Sequence, residues 1–217
     1  MPPLKSVQAQ KYNPPQGEPP GGVITSTGSR DSCSEEYELP LTGLAPTVMN
    51  HVGRTATTTP TLAWFVPSTK PYRISFSLYT ANQEELLQQV EYIDDTPEIV
   101  SFTVSAEDVT LEPGQRYIWE VNLVCNPAND AYEQFFISEF DVILPSEDLA
   151  VALATAQTPL EKAALYAESG YWYDALQAAL SLPEGARFIQ SLLSDLAATE
   201  AEPQSQYLSE IAELIHD

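Results

Sequence analysis

The chain has 217 residues, room for one domain of ordinary size and a smaller appendage, and its 43% hydrophobic residues are enough for a packed core. Thirty-one acidic against 9 basic residues give a formal charge of -22, which excludes nucleic acid and anionic membrane surfaces, since both demand a basic stripe. No run nears the roughly 18 consecutive apolar residues that cross a bilayer, so direct membrane insertion is not expected.

Residues 1–32 are rich in Pro, Gly, Gln, Ser and Thr, with Pro14-Pro15 and Pro19-Pro20-Gly21-Gly22, and read as a flexible tether. Met1-Pro2-Pro3-Leu4-Lys5 lacks the apolar core of a signal peptide. The expectation is a periplasmic or extracellular protein whose export signal preceded Met1.

Residues 33–145 carry strand grammar. A weak strand is expected near Cys33 to Leu39, then a short apolar run from Thr61 to Val66, stopped by Pro67. Tyr72 to Tyr79 alternates cleanly, with Tyr72, Ile74, Phe76 and Leu78 on the buried face. Glu85 to Ile93 is more polar and fits a sheet edge; Val100 to Ser105 alternates again. The Pro113-Gly114 turn then feeds the clearest strand of all, with Tyr117, Trp119, Val121, Leu123 and Cys125 on one face. Tyr117 has the placement of a tyrosine corner, in which the hydroxyl bonds back to nearby backbone. Gln134 to Leu144 completes the set, so the fold class is a β-sandwich of the fibronectin/immunoglobulin Greek-key type. An immunoglobulin cysteine pair is not implied, because Trp64 lies too far beyond Cys33. The two cysteines, Cys33 and Cys125, are either a disulfide or two buried thiols; even number and placement favour the disulfide, a bond of oxidising compartments.

From Pro145 the grammar becomes helical, and residues 146–217 form an all-α extension. Ser146 can cap a first helix, with Glu147 and Asp148 at its positive end. Thr158-Pro159 starts a second, Gly170 breaks it, and Tyr171 to Ser181 forms a third. Gly185 to Ala198 and Gln204 to Ile215 supply two more. Tyr166, Gly170, Trp172 and Ala175 have tetratricopeptide spacing, which predicts a hairpin of that kind at about 159–182; a plain helical hairpin would look similar. Tyr171, Trp172 and Tyr173 straddle both sides of their helix, so at least one ring is expected to be exposed as an interaction surface unless the tail packs on the sandwich.

Chemistry-bearing patterns are lacking. The two histidines are His51, in an expected loop, and His216, one residue from the end, and Cys125 points into an apolar face where a thiolate is disfavoured; Gly-x-Ser-x-Gly, phosphate-loop and zinc spacings do not occur. The oxygen-rich segments Asp94-Asp95 with Glu98, and Asn126, Asn129 with Asp130, depart from calcium-loop spacing and suit turns. No catalytic, cofactor-binding or metal-ligating residue is assigned, and an enzyme is not expected. Tyr79, Tyr92 and Tyr132 fall on outward or loop positions and could stack on sugar rings or a protein partner.

The Trp64-Phe65-Val66-Pro67 strand end, the Pro113-Gly114-Gln115-Arg116-Tyr117-Ile118-Trp119 turn-strand, and Tyr166-Ala167-Glu168-Ser169-Gly170-Tyr171-Trp172-Tyr173-Asp174-Ala175 together resemble the cyanobacterial family of unknown function numbered nine-two-eight. The likeness covers about residues 33–217. It implies this architecture and export, and it brings no activity. The family tends to carry an Asp-Arg-type segment after the cysteine, where this chain has Asn126-Pro127-Ala128-Asn129-Asp130. The expectation is a non-enzymatic interaction module of the cell envelope or extracellular space, with the sandwich as scaffold and the helical tail recognising a protein partner. The alternative is a glycan-binding module using exposed aromatics of the sandwich.

Overall fold

A computed structural model describes residues 11–15, 28–30, 39–47, 51–67, 72–93, 98–124 and 133–215. In chain order their elements are β1 (Gly28–Arg30), β2 (Thr42–Gly43), β3 (Gly53–Thr55), β4 (Thr61–Val66), β5 (Tyr72–Thr80), β6 (Glu85–Ile93), β7 (Glu98–Thr103), β8 (Arg116–Val124) and β9 (Glu133–Val142). The helices follow: α1 (Glu147–Thr155), α2 (Pro159–Glu168), α3 (Trp172–Leu180), α4 (Ala186–Ala197) and α5 (Gln204–Leu214).

Two mainly antiparallel sheets form the β part. The larger runs β1-β9-β8-β5-β6, with β3 added in parallel to β9; the smaller runs β2-β4-β7. Alternation sets their facing. In β8, Tyr117, Trp119, Val121 and Leu123 are buried, while Arg116, Ile118, Glu120 and Asn122 point to the other side. The sheets meet through aromatics: Trp64 of β4 stacks on Phe76 of β5 at 5.9 Å, and Phe102 of β7 lies 4.6 Å from Phe76. At the entry to β8 the Glu112 N–H donates to the Tyr117 hydroxyl at 2.8 Å, which ties the Pro-Gly turn to the strand. The expected strand near Cys33 lies almost wholly outside the described residues, as does the pair Cys33 and Cys125.

β4 is buried at all six positions, more than a sheet with one wet face allows. The reason is a third layer: α3 packs on β3 and β4, and α5 reaches β2. The helices are well specified locally. Thr158 and Glu161 form a reciprocal capping box on α2, with Pro159 in the first turn. Gly170, at φ +80°, ends α2 in a Schellman turn, Tyr171 N–H to Tyr166 C=O at 2.9 Å and Gly170 N–H to Ala167 C=O at 3.1 Å. Buried Ala163, Ala164, Ala167, Ala175 and Ala179 let α2 and α3 pack closely as a helical hairpin.

The segment expected to be a flexible tether is partly anchored. Tyr12 is fully buried with its ring edge-on to Trp172 at 5.0 Å, and its N–H donates to the Asp195 carboxylate at 2.9 Å. Asn13 donates its backbone N–H to the Ala167 carbonyl and its side-chain amide to that of Glu168, both at 3.1 Å. One large aromatic with a slot to fill, and backbone donors with helix-end carbonyls to meet, outweigh the Pro-rich composition around them. Further along the same stretch, β1 pairs with β9.

Candidate functional site

The expected docking surface on α3 is not a surface. Tyr171, Trp172 and Tyr173 are 6%, 0% and 0% exposed. Trp172 and Tyr173 point about 100° apart on the helix and Tyr171 is its N-cap, so all three can be buried only where the start of the helix is enclosed on several sides. That is the case here. Trp172 donates its indole N–H to the Leu44 carbonyl at 2.8 Å, the Tyr173 hydroxyl accepts from the Trp119 indole at 3.2 Å, and the Tyr171 hydroxyl donates to the Leu144 carbonyl at 3.2 Å. These rings join the helices to the sheets.

The concavity lies on the opposite side of the larger sheet, the side that faces away from the smaller one. Its floor is two cross-strand rows, Tyr79–Ile118–Glu139 and Glu120–Ile137, set by the register of β5, β8 and β9. Its wall is formed by Pro46, Thr47, His51 and Val52. The cavity measures about 460 Å³, within the range of small-ligand sites.

Two contacts hold the wall. The Ser138 hydroxyl donates to the Pro46 carbonyl at 2.9 Å, and the Glu200 carboxylate, just beyond α4, accepts both the N–H of Thr47 at 2.9 Å and its hydroxyl. The helical tail therefore positions the cleft without lining it. At the far rim is Gln83 in the β5–β6 turn, with φ +65°, a left-handed conformation that favours glycine or asparagine.

The electrostatics are one-sided. Arg116 grips Asp141 through two nitrogens, at 2.7 and 3.1 Å, and reaches Glu139 at 3.3 Å. Glu120 accepts from the Asn122 amide at 2.7 Å and has no ion pair among the described residues. His51 is only 4% exposed, and burial pushes its pKa below the usual imidazole range, so the ring is neutral at pH 7. Among the described residues its Nε2 is buried without a partner, as is the hydroxyl of Tyr12, whose ring lies 6.4 Å away. Ser138 gives its proton to a backbone carbonyl, and the Glu120 and Glu139 carboxylates stand in the cleft as acceptors beside its apolar walls. Among the described residues no three His, Cys, Asp or Glu side chains gather to hold a metal ion.

Of the outward tyrosines, Tyr79 lies in the cleft; the side chain of Tyr92, and Tyr132 entirely, fall outside the described residues. The cleft was missed in the sequence although it left a signal: Ile118 and Ile137 are apolar on the polar side of strands whose other side is already core.

The family model for the Domain of Unknown Function DUF928 matches residues 25–196, a stretch that takes in both sheets and the helices through most of α4. The chain belongs to this family. No curated protein has a matching sequence. The DUF928 match thus spans the cleft floor, its wall and the α2–α3 hairpin behind it, and brings no activity with it.

Proposed function

We propose that this protein is a non-enzymatic recognition module whose sheets and helical tail together form the scaffold, and whose ligand is a protein segment seated in the cleft on β5, β8 and β9. The observation that carries the reading is the cavity of about 460 Å³ with a floor of Tyr79, Ile118 and Ile137. The recognition surface moves from the helical tail to the sheet because the three tail aromatics are buried. The sheet orders β2-β4-β7 and β9-β8-β5-β6 support a fibronectin-like sandwich, and the α2–α3 spacing supports a tetratricopeptide-like hairpin used for internal packing. A cyanobacterial origin and a place in the cell envelope or outside the cell belong to the same proposal; they rest on the sequence resemblance and on Cys33 and Cys125 as a bridge.

The test is crosslinking capture from an envelope extract with three baits: the full chain, Ile118→Lys in the cleft, and Val151→Lys on the exposed side of α1. The expected result is a protein retained by the full chain and by Val151→Lys and lost with Ile118→Lys, with Tyr79→Ala as a second cleft variant of unchanged melting temperature. One partner set shared by all baits would remove the cleft from the account. Recovery of polysaccharide and no protein would favour the glycan alternative, for which Tyr79 is the aromatic in the cleft.

A further inference from the structure

Resting on the cleft reading, we infer that the segment it takes is basic, presenting an arginine or lysine side chain to Glu120 with its stem along Ile118, Ile137 and Tyr79.

The charge count on this side of the sheet points that way. Among the described residues Glu120 and Glu139 line the cleft and no lysine or arginine does; Asp141 stands beside them and Glu84 and Glu85 follow Gln83 at the rim, while of the nearby cations Arg116 is held by Asp141 and Glu139, Arg54 lies in register with Asp141, and Arg73 sits farther along β5. A neutral His51 adds no positive charge to the wall. An anionic or purely apolar ligand would cover the Glu120 carboxylate without offering it a cation, a cost that grows as water leaves. A guanidinium or ammonium reverses the sign of that term.

The walls suit such a side chain along its length. Long basic side chains lay their methylenes on apolar surface and keep the charge at a polar end, and a guanidinium also stacks on a tyrosine ring. Pro46 and Val52 face this floor, and the cavity is larger than one side chain fills, which leaves room for an apolar neighbour in the same segment. The net charge of -22 would draw basic segments from a distance, an effect that salt screens.

The experiment titrates the full chain with the blocked tripeptide acetyl-Leu-Arg-Leu-amide, its citrulline counterpart and free agmatine, following the methyl resonances of Ile118 and Ile137 by NMR. The arginine peptide is expected to shift both resonances, to bind about tenfold more tightly than the citrulline peptide, and to lose about the same factor in Glu120→Gln and on raising salt. Equal binding of arginine and citrulline peptides would overturn the basic segment while leaving the cleft as the site. Agmatine binding as tightly as the arginine peptide would replace the protein segment by a small organic cation. No shift of either methyl with any probe would remove both the segment and the cleft reading.

Discussion

Asp174 sits in the first turn of α3, where the positive end of a helix favours an anion, and it accepts the Ala56 N–H at 2.8 Å. Burial outweighs both, and its carboxyl is pushed up to about 6 from 3.8. The folded form then holds the proton more tightly than the unfolded one. The cost is absent below pH about 4, grows as pH rises, and is complete above pH about 6, on the order of 3 kcal/mol. Asp174→Asn keeps an acceptor for Ala56 and removes the charge. Urea denaturation is expected to show the variant about 2 kcal/mol more stable than the parent at pH 8, with the gain gone at pH 4. A gain equal at the two pH values would contradict the burial argument. His51 acts in the opposite sense: its pKa lies below the unfolded value of about 6.5, so what it contributes is lost as pH falls through that region. Comparing variant with parent at each pH cancels the His51 contribution.

At the scale of elements, close approaches decide where a side chain can be tolerated. A Cβ on Gly43 of β2 would lie 2.0–2.2 Å from ring atoms of Phe136, which is fully buried. With Phe136 packed at 5.2 Å from Trp119, the ring has little room to yield. Gly43→Ala is expected to cost about 3 kcal/mol in urea denaturation, and a loss under about 0.5 kcal/mol would mean that β2 can lift from the sheet. How much of these elements could be read beforehand follows from period and range. β5 and β8 were legible because alternation over nine residues writes their facing into the sequence. The helix ends were legible because Ser146, Thr158-Pro159 and Gly170 are local signals. β2 and β3, at two and three residues, carry no period; their existence depends on β4 and β9, strands distant in the chain. The cleft depends on a wall that Glu200 and Ser138 hold from more than ninety residues away, a pairing no local pattern encodes. Tyr171, Trp172 and Tyr173 misled for the same reason: a fan of aromatics looks exposed until the sheet that encloses it is known.

For the whole molecule, the boundary near residue 145 is a change of grammar and not a change of core. Trp119, Trp172 and Gln204 each bond across it, to Tyr173, Leu44 and Gly43, and all are buried. A chain ending at Pro145 would bare one side of β4 and leave the Trp119 indole without its acceptor. It is expected to be insoluble or unfolded, whereas the full chain should melt in one calorimetric transition with equal calorimetric and van't Hoff enthalpies. Two resolved transitions would show the helices and sheets to be independent. The same arrangement decides how the protein meets a mechanical load. Tyr12 hangs from Asp195 of α4, and α5 lies along that helix, its Ala212 carbonyl taking the Gln190 amide at 3.1 Å. Tension applied between Tyr12 and the end of α5 therefore pulls first on attachments to helices, Asp195, Ala167 and Glu168 for the strap and Gln190 for α5. They peel one bond at a time, so the strap and the last helix act as a fuse that yields before force reaches the hydrogen-bonded ladders of the sheets.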